Sequence, residues 1–345
     1  MELPVLDIAP FLEPHSGPNN DQRRRETAAH LDRFLTHFGF LYLTGYGSVV
    51  TEEELATVLD VARSFFARPD EEKANLKIRR GDGARGWQKI GENVTGGHAD
   101  WHEGWDCYKP VEHENPQQLL HGPNQWPAEP TAFRPTLEAH FSKMQVLGHA
   151  LMEATAMALG LDAGDGDYAQ LKEWTSDPFW VARCIGYPPL PPDATGVSCG
   201  AHRDYGNWTL LLADPTPGAL QVFLRDPAGN DADPESNERG TWIDADPKPG
   251  HLVVNVGEMV EIYSAGLYKA TLHRVVHRSP TYRVSVPFFF EPNYEAEMSP
   301  LAAACQRREQ EDPSNAREAI ETIKPITYGD FLAAKVAKNF ALEES

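Results

Sequence analysis

The sequence predicts an α+β chain with a mainly β core, and three observations predict it. From about residue 179 to 292 the chain is a series of short apolar runs: "FWVARCIGYPP", "NWTLLLA", "ALQVFL", "TWIDA", "HLVVNV", "KATLHRVVH" and "RVSVPFFFEP". Turn segments such as "DPTPG" and "DPKPG" separate them, and many short strands with Pro/Gly punctuation build a sandwich or a barrel. Before residue 178 the apolar residues instead recur at helical spacing. Finally, 345 residues at 41% hydrophobic content suffice for a large core. With no internal repeat and no low-complexity linker, one domain over 1–345 is expected. Its parts are a mostly helical region (1–178), the β core (179–292) and a C-terminal helical segment (310–345).

The elements follow in order. "PVLDIAPFL" reads as a short strand ended by proline. Residues 21–38 place Ala28, Leu31 and Leu35 on one helical face, and "GFLYLTGYG" is a strand between glycines. "TEEELATVLDVARSFFARPDEEKANL" starts with a capping box, Thr51 to Glu54, and reads as a helix. Residues 81–127, rich in Gly, Pro and Trp without a clear period, read as a long structured loop. Residues 131–160 carry the longest helical pattern, Phe133, Leu137, Phe141, Met144, Leu147, Leu151 and Leu159, stopped by Gly160. "RDPAGNDADPESNERG" (225–240) reads as a polar surface loop, and "YGDFLAAKVAKNF" as a short C-terminal helix.

Composition removes several function classes. The net charge is −20, from 51 acidic and 31 basic residues, so the surface repels nucleic-acid backbones and anionic membranes. A local Arg can still outweigh that distant field for a small anionic substrate. The cysteines at 107, 184, 199 and 305 contain no CxxC pair, which argues against a zinc ribbon or a thioredoxin-like site. Scattered cysteines fit a reducing compartment. No stretch reads as a signal peptide or membrane span, and a soluble, cytoplasmic protein is expected. Oligomeric state is not written in the sequence.

Two pairs of residues carry chemistry. In "GAHRDYGNWTLLLAD", His202 and Asp204 are two apart, and on an extended segment they share a face. An imidazole and a carboxylate on one face can hold a divalent metal, with a third ligand from His273 or His277 in "KATLHRVVHRS". Two His and one carboxylate leave coordination positions open and suit Fe(II) oxygen chemistry. An isolated HxD, though, is more often an accident of a strand entrance. The second pair, Arg283 and Ser285 in "RVSVPFFFEP", is also two apart. A guanidinium fork with a neighbouring hydroxyl can clamp a carboxylate; the plain alternative is a salt bridge to one of the many acidic residues. Two motifs are decoys. "GDGARG" (81–86) has the GxGxxG spacing, but it is not set between a strand and a helix as a dinucleotide site requires. "HADWHEGWD" (98–106) repeats HxD and adds His102 and Glu103 within a Gly-rich segment, where loop packing is the simpler role.

Taken together, "HRDYGNWTLLLAD", "GALQVF", "TWIDADPKPGHLVVNVGEMVEIYSAGLYKATLHRVVH" and "RVSVPFFFEP" resemble the Fe(II)- and 2-oxoglutarate-dependent oxygenases of the isopenicillin N synthase-like family. "PVLDIAPFL" and "GFLYLTGYG" resemble that family's N-terminal region, so the likeness spans nearly the whole chain. The resemblance implies a double-stranded β-helix, a jelly roll flanked by helices, with the metal site in residues 179–292. It implies His202, Asp204 and His273 as Fe(II) ligands, because the family's distal His sits in a "TLHRV" context about ten residues before its RxS. His277 becomes a strand neighbour. Arg283 and Ser285 would hold the 5-carboxylate of 2-oxoglutarate with help from Tyr187, and Phe289 would border the substrate. Arg85, Trp87 and Gln88 are further candidates for substrate contact. The implied activity uses O2 and 2-oxoglutarate, releases succinate and CO2, and hydroxylates, desaturates or cyclises a small metabolite. Two alternatives stand beside it: an Fe(II) oxidase of the same fold that needs no 2-oxoglutarate, and a catalytically silent binding module.

Overall fold

The computed structural model describes residues 2–14, 18–191, 197–226, 228–233 and 237–339. Eight strands form the larger sheet: β1 (Val5–Asp7), β2 (Phe40–Thr44), β3 (Gly86–Gln88), β4 (Glu103–Tyr108), β5 (Trp180–Tyr187), β7 (Trp208–Ala213), β11 (Leu252–Val256) and β13 (Arg283–Phe290). Five form the smaller: β6 (Cys199–His202), β8 (Leu220–Arg225), β9 (Asp231–Ala232), β10 (Arg239–Asp244) and β12 (His273–Val275). Their orders are β1-β2-β11-β7-β13-β5-β4-β3 and β9-β10-β8-β12-β6. The two sheets face each other as a double-stranded β-helix. Helices α1 (Pro18–His37), α2 (Glu52–Phe66) and α3 (Phe133–Ala158) cover the outer face of the larger sheet, and α4 (Tyr328–Asn339) ends the described chain.

The period-2 rule of strands sorts side chains between two cores. In β2, Leu41 and Leu43 join the large cluster under the helices, while Phe40 and Tyr42 join Val222, Leu224 and Val253 inside the barrel. In β13 the even residues Val284, Val286, Phe288 and Phe290 enter the helical core. The odd positions of β13 therefore face the barrel interior, and the alternation decides where the chemistry sits. Gly148 of α3 permits the close approach of helix and sheet: a Cβ there would lie 2.2 Å from the Phe290 ring.

The sequence reading holds for most elements. The Thr51/Glu54 capping box is formed in both directions, and α3 stops before Gly160, whose φ is +77°. Two segments depart from it. Residues 81–127 are not simply a loop. They contain β4, every residue of which is buried. Apolar alternation is invisible there because buried Glu103 is compensated by Lys73 at 2.7 Å and Asp106 by Arg183 at 2.7 Å. The region before residue 178 thus supplies half of the larger sheet, β1 to β4, as well as helices. The 225–240 segment includes the short strand β9, with residues 227 and 234–236 outside the described residues.

Candidate metal centre and active-site cavity

His202 closes β6, Asp204 lies two residues beyond it, and His273 opens β12. The antiparallel pairing of these strands sets His273 directly opposite His202. The imidazole centroids are 4.2 Å apart. Nε2 of His202 and of His273 stand 3.8 Å and 3.7 Å from the same Asp204 oxygen, Oδ1. Those separations are too long for hydrogen bonds, yet short enough for one ion to reach all three groups.

Backbone carbonyls fix which nitrogen is free. Nδ1 of His202 donates to the Gly200 carbonyl at 2.8 Å, and Nδ1 of His273 to the Thr271 carbonyl at 3.1 Å. Both Nε2 atoms consequently turn toward Asp204. Oδ2 of Asp204 accepts from Thr209 Oγ1 at 2.6 Å and from Asn255 Nδ2 at 2.7 Å, leaving Oδ1 for a cation. Burial alone would raise the Asp204 carboxyl, but the facing His273 and His202, with those two hydrogen bonds, hold it below the usual carboxylate range. Burial pushes the His273 imidazole down to about 4, so it is neutral near pH 7, as a ligand must be. Against the pull of burial, Cys199 and Asp204 push the His202 imidazole up to about 10, so an arriving cation must displace its proton; two imidazoles and one carboxylate then suit a divalent ion of the Fe(II) type.

Asn255 touches Asp204 from a different strand, so it can be tested alone. Asn255→Leu is expected to weaken iron binding by about 10- to 100-fold, the usual cost of losing a hydrogen-bonded partner of a ligand. Competition with a chromogenic chelator measures it, and an unchanged affinity would remove Asn255 from the support of the site.

Farther inside the barrel, Arg283 and Ser285 share the interior face of β13, and Tyr187 of β5 is paired in register with Arg283. The Arg283 guanidinium lies 4.8 Å from the Tyr187 ring centroid, and the Ser285 hydroxyl hydrogen-bonds Tyr187. Arg283 is 2% exposed, and its Nε and Nη1 have no protein partner. A buried cation with unused donors is costly unless an anion meets it. The donor set therefore fits a carboxylate, while the salt-bridge alternative has no carboxylate on those two nitrogens. His277 stays outside the cluster, with Nε2 on the Thr281 carbonyl at 2.7 Å.

A cavity of about 120 Å³ opens beside His202 and Asp204. His202, Asp204, Phe289, Asp106, Arg183 and Glu291 are among its walls, and Leu332 and Val336 bring α4 to it. Phe289 lines the cavity beside His202 and Asp204. The structure does not bring Arg85 and Trp87 to this cavity. Arg85 is buried against Asp82 at 2.9 Å and the Lys109 carbonyl at 3.1 Å, and Trp87 Nε1 donates to Glu103 at 2.8 Å. Of the three neighbouring candidates only Gln88 lines the cavity. Sequence reasoning missed Glu291, Asp106 and Arg183. The available signal was parity: Glu291 continues the odd-numbered face of Arg283, Ser285 and Phe289. Burial pushes the Glu291 carboxyl up to about 8, against the opposing pull of the Tyr328 hydroxyl. A cation brought beside it would restore the ionised form.

The second HxD resolves into packing. His98 is exposed, while Asp100 and His102 are buried and approach Cys199. Asp100 accepts from Gly200 N at 2.8 Å, Thr95 Oγ1 at 2.7 Å and Asn93 Nδ2 at 2.5 Å, and His102 Nδ1 donates to the Ser198 carbonyl at 2.8 Å. These bonds tie the 93–102 segment to β6.

Comparisons with known proteins agree with this geometry. The profile described as the 2OG-Fe(II) oxygenase superfamily matches residues 176–292, and that of the non-haem dioxygenase in morphine synthesis N-terminal region matches residues 3–129. A homoarginine-6-hydroxylase of Oryza sativa subsp. japonica is 37% identical over 99% of this chain and 98% of its own. One from Arabidopsis thaliana is 36% identical over the same shares. Among solved structures, a full-length Neurospora crassa protein in complex with alpha-KG and 5-formyluracil superposes with a TM-score of 0.75 at 24% identity, covering 97% of this chain and 96% of that one.

Proposed function

Because the chain belongs to the Fe(II)- and 2-oxoglutarate-dependent oxygenases of the isopenicillin N synthase-like superfamily, we propose that it hydroxylates a small guanidino amino acid of the homoarginine type, with His202, Asp204 and His273 as the metal ligands. Its cofactor is Fe(II), its co-substrates are 2-oxoglutarate and O2, and its substrate is a small molecule. Among the described residues no helix is long and apolar enough to cross a membrane. We read residues 1–345 as one catalytic domain. A cytoplasmic location suits ferrous iron and four free cysteines.

When bound, the metal supplies O2 activation coupled to oxidative decarboxylation of the keto acid. One oxygen atom ends in succinate and the other in the substrate's C–H bond, with CO2 released. The protein's own residues position and exclude. His202 and His273 would hold the metal through Nε2 and Asp204 through Oδ1, each oriented by its hydrogen bonds to the protein. Arg283 and Ser285, with Tyr187, would take the far carboxylate of the keto acid. Phe289, Leu332 and Val336 would shield the reacting carbon from water.

The reading is carried by the convergence of His202, Asp204 and His273, two from one segment and one about seventy positions on. The guanidino substrate is supported by the full-length relatives named as homoarginine hydroxylases and by buried carboxylates in the cavity wall. Protein loaded with Fe(II) is expected to form succinate from 2-oxoglutarate with L-homoarginine consumed one for one, and the product should gain one oxygen on the carbon beside the guanidino group. Mass spectrometry and succinate quantification check both. Succinate formation that homoarginine does not stimulate would rule out this substrate.

A further inference from the structure

Glu291 is the least explained carboxyl group in the cavity wall. It is 3% exposed, and Oε2 has no hydrogen-bond partner in the protein. Its place is prepared by a glycine: a Cβ at position 206 would lie 1.1 Å from Glu291 Oε2. Any side chain there would displace the carboxylate. Gly206 is two residues after Asp204, so Glu291 leans over the turn that carries a metal ligand. A carboxyl group buried with an unpartnered oxygen is costly unless a donor or cation reaches it, and Glu291 lines the cavity, where a small side-chain rotation would turn that oxygen from Gly206 to a bound cation.

A second polar pair lines the same cavity. Asp106 of β4 and Arg183 of β5 are cross-strand partners in register. Arg183 Nε donates to Asp106 Oδ1 at 2.7 Å, and its Nη2 to Gln88 Oε1 at 3.3 Å. One anion and one cation held side by side form a complementary surface for an ammonium and a carboxylate on one carbon.

Spacing links the two features. The pairing of β5 with β13 sets Ser285 opposite Ile185 and Phe289 opposite Val181, so Arg183 falls beside Pro287. Glu291 is four residues further, about 13 Å along the sheet at ~3.3 Å per residue. In a homoarginine-type molecule six bonds separate the α-carbon from the guanidino carbon, which is about 7–8 Å when extended, at ~3.8 Å per three bonds. Adding a hydrogen bond of about 3 Å at each end fills the distance.

On the basis of the function proposed above, we propose that Glu291 is the residue that selects the guanidinium group, while the Arg183–Asp106 pair holds the α-carboxylate and α-ammonium at the other end. The guanidino end then lies beside the metal, and the carbon that bears it is the one presented for oxidation. Val181 and Phe289, between the two polar points, pack on the methylene chain. Glu291 is thus a specificity residue that touches the substrate and needs no part in the redox step.

Homocitrulline provides the test, since its urea keeps the shape of homoarginine's guanidinium and removes the charge. Protein loaded anaerobically with Fe(II) and 2-oxoglutarate is titrated with each compound, and kcat and KM are measured in air. The wild type should prefer homoarginine by roughly 10- to 150-fold, the scale of a hydrogen bond to a charged group. Glu291→Gln should erase that preference while still binding 2-oxoglutarate. Glu291→Asp, which keeps the charge, should preserve the preference and shows that the position tolerates change. Arg183→Lys, which loses the planar fork, should weaken both compounds alike and leave their ratio intact. A Glu291→Gln protein that still prefers homoarginine overturns the assignment while the substrate reading stands. A wild type that binds and oxidises neither compound instead sinks the substrate reading, and the assignment with it.

Discussion

Replacing His273 with alanine is expected to abolish both iron binding and succinate formation, whereas His277→Ala keeps both. The two histidines are four residues apart on the same stretch, yet only His273 aims a free Nε2 at Asp204 Oδ1, 3.7 Å away. His277 commits its Nε2 to the Thr281 carbonyl. Losing His273 removes one of three ligands, so the fall in iron affinity should exceed the 10- to 100-fold typical of losing only a ligand's hydrogen-bond partner. Metal content after desalting and an anaerobic Fe(II) titration read this directly. The His277→Ala protein should lose stability rather than iron, because the ring is buried, and thermal melting separates that effect from catalysis. Equal loss of iron in both variants would overturn the ligand set.

Arg283→Ala is expected to raise the apparent Kd for 2-oxoglutarate by roughly 30- to 5,000-fold. The range follows from about 2–5 kcal/mol for truncating one member of a buried, hydrogen-bonded charge pair. Iron affinity should change little, since Arg283 touches none of the three ligands. Part of the desolvation has already happened in the folded protein: Nε and Nη1 stand buried without a partner, so a keto acid bound there would meet a prepared cation. Removing the guanidinium also relieves that burial, and the variant without ligand should melt no lower than the wild type. An unchanged Kd would mean that the carboxylate is held elsewhere.

Much of this site was legible in the sequence because its parts repeat at the spacing of a strand. His202 and Asp204 are two apart, as are Arg283 and Ser285, and strand geometry turns each pair to one side. The choice between His273 and His277 came from family resemblance; the structure supplies a physical account, since the backbone partner of each ring decides which nitrogen is free. Glu291 was overlooked because an acidic residue before proline at a strand end reads as a surface terminus, and its burial depends on Gly206, 85 positions earlier. Strand β4 was unreadable for a similar reason: Lys73 and Arg183, which make Glu103 and Asp106 tolerable inside, are remote in the chain. Arg85 and Trp87 misled because an Arg and a Trp near a mouth look like recognition groups, and nothing local shows that Asp82 and Glu103 already occupy them.

One strand, β13, carries the proposed keto-acid clamp, Arg283 and Ser285, at one end and the cavity-wall residues Phe289 and Glu291 at the other, all on alternate positions. Inserting or deleting a single residue midway would turn either the clamp or the wall into the helical core, so the length of this segment cannot drift during evolution. Exchanges at 289 and 291 leave the clamp in place. A lineage can therefore change what it oxidises by point replacement there while the co-substrate chemistry is inherited untouched.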